Sequence, residues 1–121
     1  MNHQEAFDKA VAHLRKQGAK AHDSSRRTDD GSLFCAYRGD NGMMCAVGCL
    51  ITDEEYTKSF EGRAASWLQE RLPAGNSLVF LDGHFLEGLQ SIHDNSPPEQ
   101  WEDQLKNLAI DYKLKYNGVE A

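Results

Sequence analysis

The chain has 121 residues and a formal net charge of −6, with 40% hydrophobic and 26% charged residues. That length suits a single domain spanning residues 1–121, able to bury roughly two thirds of its unfolded surface without help from a metal or disulfide. The composition excludes a disordered segment, and no apolar run approaches the ~20 residues of a membrane span. The acidic balance argues against direct nucleic-acid binding, which depends on clustered Lys and Arg.

The opening MNHQEAFDKA lacks the basic-then-apolar pattern of a secretion signal, so cytoplasmic residence is expected. Gln4–Gln17 reads as an amphipathic helix: Phe7, Ala10, Val11 and Leu14 recur at helical spacing and Gly18 supplies the stop. His13 lies at the edge of that stripe. Residues 19–32 are polar and aperiodic, and read as a surface loop. Leu33–Arg38 alternates as a strand should, Gly39-Asp40-Asn41-Gly42 is a tight-turn signal, and Met43–Cys45 returns as a second strand, giving a hairpin over 33–45. The apolar run Ala46–Ile51 reads as a buried helical turn, with Gly48 out of place in it.

Thr52-Asp53-Glu54-Glu55 matches a capping box and predicts a short helix over Asp53–Lys58. A firmer helix is expected over Phe60–Leu72, with Trp67 on its inner side, ended by Pro73 and followed by a loop over Ala74–Ser77. Asp82 is placed to cap a helix over Gly83–Asp94 that turns Phe85, Leu89 and Ile92 inward. Ser96-Pro97-Pro98-Glu99 combines a Ser cap, Pro in the first turn and a closing Glu, predicting a last helix to about Lys115 with Trp101, Leu105, Leu108 and Tyr112 inward. Residues 116–121 are expected to fray. The fold class is therefore α+β, mainly α: a small bundle of about four to five helices with one β-hairpin.

Three cysteines cannot pair completely within one chain, and free thiols in a reducing compartment are the simplest reading. Cys45 and Cys49, at i and i+4 on a helical turn, would place two sulfurs on one face. Cys35 and His93 or His84 would complete a four-ligand zinc set. The second closely spaced pair typical of zinc sites is missing, so buried apolar thiols are the preferred reading and no cofactor is expected. A nucleophilic cysteine needs an electropositive setting and a positioned base. Acidic neighbours follow Cys49, and His93 and Asp94 are adjacent helix residues expected to point apart. No catalytic residue is assigned.

Asp53, Glu54, Glu55 and Glu61 carry enough carboxylate to hold a cation, but acidic residues in a first helical turn are explained by the helix dipole. Arg38-Gly39-Asp40 spells an adhesion tripeptide and reads here as a turn. Tyr37 and Arg38 beside an exposed turn are of the types that concentrate interface energy.

The stretches FDKAVAHLRKQGAK, CAYRGDNGMMCAVGCLITDEEY with Glu61-Gly62, LQSIHDN, and the ending W-x3-L-x2-L-A-x2-Y together resemble a family of small uncharacterised proteins of bacteriophages, prophages and bacterial genomes. The resemblance covers nearly the whole chain and implies a mobile-element origin. It implies no activity, cofactor or functional residue.

Two functional classes follow. One is a non-enzymatic accessory protein that binds a protein partner stoichiometrically, such as a basic nucleic-acid-handling protein: an inhibitor of a host defence system such as CRISPR–Cas, or a toxin-neutralising immunity protein. Its contact residues would be Tyr37, Arg38, Asp40, Asn41, Asp53, Glu54, Glu55 and Glu61. The other is a metal- or thiol-dependent small enzyme built on Cys35, Cys45, Cys49 and His93.

Overall fold

A computed structural model describes residues 2–31, 33–72 and 77–116. Four α-helices and one two-stranded antiparallel ribbon make it a small α+β protein, mainly α. Helix α1 (His3–Gln17) is closed at both ends by local chemistry. Asn2 and Glu5 form a reciprocal capping box, and Gly18 leaves the helix at φ 65°. Its Ala6, Phe7, Ala10, Val11 and Leu14 are buried, as their spacing requires. Helix α3 (Gly83–Asn95) starts at Asp82, whose carboxylate accepts the His84 amide, and it buries Phe85, Leu86, Leu89, Ile92 and His93. The apolar members of these two sets, with Leu105 and Leu108 of α4 (Trp101–Asp111), meet in one core cluster. Full burial of a side chain such as Phe7 or Phe85 stabilises the fold by about 2 kcal/mol.

The hairpin is made by different residues from those expected. Strand β1 (His22–Arg27) lies in the stretch read as a loop, and pairs with β2 (Leu33–Cys35), His22 opposite Cys35 and Asp23 opposite Phe34. HDSSRR carries no apolar alternation because most of β1 faces solvent, so periodicity had nothing to detect. The expected return strand over Met43–Cys45 shrinks to a single bridge between Arg38 and Met44. Its turn is nonetheless formed: Asn41 (φ 57°) and Gly42 (φ 76°) both adopt positive φ, and the Met43 amide closes on the Asp40 carbonyl at 3.1 Å. The strands stop because α1 captures the main chain just beyond. Gln17 takes the Met44 amide at 2.9 Å, and His13 and Gln17 both donate to the Met44 carbonyl.

Three further helix expectations are cut short by tertiary contacts. The capping box at Thr52–Glu55 is made, yet it closes only a turn, and Thr57 is already extended. The helix expected over Phe60–Leu72 is reduced to α2 (Ala65–Gln69), because Glu61 is extended and Gly62 sits at φ 78°. At Ser96–Glu99, Pro97 is held extended (φ −65°, ψ 151°) by the proline after it, and α4 begins only at Trp101. Ser96 contributes its carbonyl to the Trp101 indole rather than a cap. Helix α4 ends at Asp111, not near Lys115. Lys113 takes φ 56° and Leu114 returns a hydrogen bond to the Ala109 carbonyl at 2.8 Å. Trp67, expected in the core, is half-buried between the guanidinium groups of Arg63 and Arg71. The loop over Ala74–Ser77 and the tail beyond Tyr116 lie mostly outside the described residues.

Candidate functional site

Two places gather the residues singled out above. The first is the face carrying the Asn41–Gly42 turn. Arg38 is its organising cation: its guanidinium donates to the Asp53 carboxylate and, at 2.9 Å, to the Ile51 carbonyl, and it lies 5.2 Å from the centre of the Tyr56 ring. Its Nε is buried without a hydrogen-bond partner. Glu61 clamps the same strand from behind. Its carboxylate accepts the Tyr37 amide at 2.9 Å, the Arg38 amide at 3.2 Å and the Tyr56 hydroxyl at 2.5 Å. Gly48 fits because its α-carbon lies against the Tyr37 main chain, where a β-carbon would come within 2.2 Å of the carbonyl oxygen.

The expected contact residues therefore divide. Tyr37 is buried, its hydroxyl donating to the Arg63 carbonyl at 2.5 Å, and Glu61 is spent on the clamp. Arg38 is largely enclosed. Asp40, Asn41, Asp53 and Glu54 are exposed and Glu55 is half-buried. Arg38, Gly39, Gly42, Met43, Asp53 and Tyr56 line one shallow groove of about 530 Å³, so two stretches separate in sequence share a surface.

The second place is a cleft of about 790 Å³ between the β1–β2 ribbon and the C-terminal end of α3. Cys35 and Asp94 line it and the buried His93 converges with them, candidate ligand atoms all lying within 4.8 Å of one another. Of the five residues considered for zinc, only Cys35 and His93 come together among the described residues; the third member is Asp94. Cys45 and Cys49 turn into the core, Cys45 donating to the Gln90 side chain at 2.9 Å and Cys49 to the Ala46 carbonyl at 3.2 Å. His84 is exposed near the opposite end of α3, nine residues or about 13 Å from His93 along the helix.

The adjacent pair His93 and Asp94 does not point apart. In the last turn of α3 the carboxylate folds back and accepts from His93 Nδ1 at 2.6 Å. The other ring nitrogen accepts the Ala21 main-chain amide at 2.9 Å. These partners define the tautomer, with the proton on Nδ1. A metal held through Nδ1 would require the proton on Nε2, where an amide N–H already donates. The imidazole is thus a girder between α3 and the residue before β1, stacked on Trp101 at 5.7 Å.

The thiols are equally quiet. Burial, reinforced by Asp94, pushes the Cys35 pKa up to about 11; burial lifts Cys49 to about 11 and Cys45 higher still. Nucleophilic attack and metal ligation both need the thiolate, which such surroundings disfavour. Sequence reasoning missed Asp94 and Gln90 as partners of the cysteines. The only signal for them was their spacing on α3, where i and i+4 share a face. Comparison with protein-family models, curated proteins and solved structures returns no match to this chain.

Proposed function

We propose that the protein acts non-enzymatically, as a small acidic accessory factor of the mobile-element type that binds a basic, nucleic-acid-handling protein of the bacterial cytoplasm stoichiometrically. Inhibition of a host defence system such as CRISPR–Cas is the favoured form of this activity, and neutralisation of a toxin is the other. The observation that carries the reading is the meeting of Gly42–Met43 and Asp53 on one groove, with Asp40, Asn41 and Glu54 exposed next to them in sequence, held by the Arg38 fork and the Glu61 clamp. A pre-ordered turn loses little conformational entropy on association, and acidic groups around half-buried methionine fit a basic, partly apolar contact. Among the described residues, no helix is long and apolar enough to cross a membrane.

The test is affinity capture from bacterial lysate with the wild-type chain and with the Asp53→Lys/Glu54→Lys variant, at low and high salt. One partner should be retained in a salt-dependent way and bind the variant at least about tenfold more weakly, a loss near 1.4 kcal/mol. Equal retention by both chains would remove this face from the proposal.

A further inference from the structure

We propose that Asn41 is a site of spontaneous covalent modification, losing its side-chain amide through a cyclic imide formed with Gly42. The reaction needs an asparagine whose carboxamide is unrestrained, a following main-chain nitrogen that nothing obstructs, and water to open the ring. The described asparagines are Asn2, Asn41, Asn95 and Asn107. Asn2 is engaged as the cap of α1, accepting the Glu5 amide at 2.8 Å, and Asn95 donates to the Ser91 hydroxyl at 2.9 Å. Asn107 lies inside α4, where the helical backbone holds the next amide in place. Asn41 is exposed, and among the described residues nothing bonds to its carboxamide. Gly42 is exposed as well, and a β-carbon there would meet nothing within 4 Å, so the space beside the attacking nitrogen is open.

The Gly42 main-chain nitrogen attacks the Asn41 side-chain carbonyl carbon. The new N–C bond closes a five-membered imide, the bond from that carbon to Nδ2 breaks, and the Gly42 amide proton leaves with Nδ2 as ammonia. Water then opens the ring. Cleavage at the side-chain carbonyl gives aspartate, and cleavage at the main-chain carbonyl gives isoaspartate, whose chain runs through the β-carbon. Either product adds one negative charge beside Asp40 on the turn face. The closed turn restrains this chemistry. Asn41 stands at ψ 32°, which turns the Gly42 nitrogen away from the side chain, so ring closure requires rotation about ψ. That rotation is opposed by the Met43 amide on the Asp40 carbonyl at 3.1 Å and the Gly39 amide on the Met43 carbonyl at 2.8 Å. The Glu61 clamp holds the strand just before. Modification therefore proceeds from the opened turn, at a rate set by how often it opens. Isoaspartate lengthens the main chain by one carbon, so that product cannot close the turn in its original register.

The experiment incubates the full-length chain in warm, mildly alkaline and mildly acidic buffers beside a synthetic peptide of residues 37–43. Products are mapped by mass spectrometry and by enzymatic methylation of isoaspartate. A gain of one mass unit at Asn41 is expected, with isoaspartate among the products, and faster in alkaline buffer because the attacking nitrogen must shed its proton. The folded chain should react at least about tenfold more slowly than the peptide, since most molecules hold the turn closed. Glu61→Gln, which loosens the clamp, should bring the rate towards that of the peptide. Asn2, Asn95 and Asn107 should stay intact over the same interval. An Asn41 still unmodified after the peptide has reacted completely would overturn the site, and aspartate without isoaspartate would overturn the cyclic route. A folded-chain rate equal to the peptide's, or no acceleration in Glu61→Gln, would overturn the control by the turn.

Discussion

The turn face and the α3 cleft treat charge in opposite ways. On the turn face Arg38 is surrounded by acceptors, one of them the exposed Asp53, and Glu61 holds main-chain amides behind it. In the cleft the Asp94 carboxylate collects bonds from Gln90 and from the wholly buried His93, with the Cys35 thiol beside it. The first arrangement spends its charges to make a rigid display. The second spends its carboxylate on tying the end of α3 together. Residues that look chemically active in the sequence are thus mostly structural, and exposure separates the two regions.

The sharpest way to break the first region is Glu61→Ala. It removes three hydrogen bonds at once and strands two main-chain amides, so a loss of about 4 kcal/mol is expected in urea denaturation at pH 7. Glu61→Gln, which keeps one acceptor oxygen, should cost about half as much. A loss under about 1 kcal/mol for the alanine variant would show that the clamp does not hold the turn.

The cleft side is tested next by His93→Ala, expected to cost about 3 kcal/mol. The Ala21 amide loses its acceptor, and a void opens against Trp101. His93→Gln should recover part of that loss if the amide bond is the larger contribution.

Alkaline pH offers a third test. Folded-state pKa values of Cys35, Cys45 and Cys49 are raised, so the unfolded chain releases thiol protons first and stability must fall as pH climbs. The thiol contribution is complete below the ordinary cysteine pKa of about 8.5 and, for Cys49, fades towards about 11. Cys49→Ala should flatten this limb by about 2 kcal/mol between pH 8 and 11 in parallel denaturation curves. An unchanged limb would place the alkaline sensitivity elsewhere.

The smallest effect belongs to the outer pair Arg15–Glu102, whose side chains are each 34% exposed. The hydrogen bond from Arg15 holds Glu102 below the ordinary carboxylate range, so its stabilisation is present above about pH 4.3 and lost as pH falls through the lowered value. Solvent screening limits Glu102→Gln to about 0.5 kcal/mol at pH 7, and the difference from wild type should vanish near pH 2.

Reading the chain before its fold was most successful where one element decided its own fate. Helices α1 and α3 carry apolar stripes and local caps, so hydrophobic spacing and the chemistry of Asp82 and Gly18 suffice to locate them. The Asn41–Gly42 turn is legible for the same reason, since positive φ is a property of those two residues. Of the candidate contact residues, Asp40, Asn41, Asp53 and Glu54 lie where exposure was anticipated, whereas Tyr37 is buried and Glu61 is half-buried and bonded to the main chain. Arg38, Asp53, Tyr56 and Glu61 form one assembly only because the chain folds back between them, and no spacing rule spans that return.

By itself, then, the sequence determined the class of the fold, two of its helices and its tight turn, because propensity, capping and periodicity act within a few residues. Tertiary structure decided the strand partners of Phe34 and Cys35, the early ends of α2 and α4, the tautomer of His93 and the quiet state of the thiols. Each of those depends on a partner far away in the chain. A hydrogen bond or a dry pocket is a property of two surfaces in contact, and only the packed molecule brings the second surface.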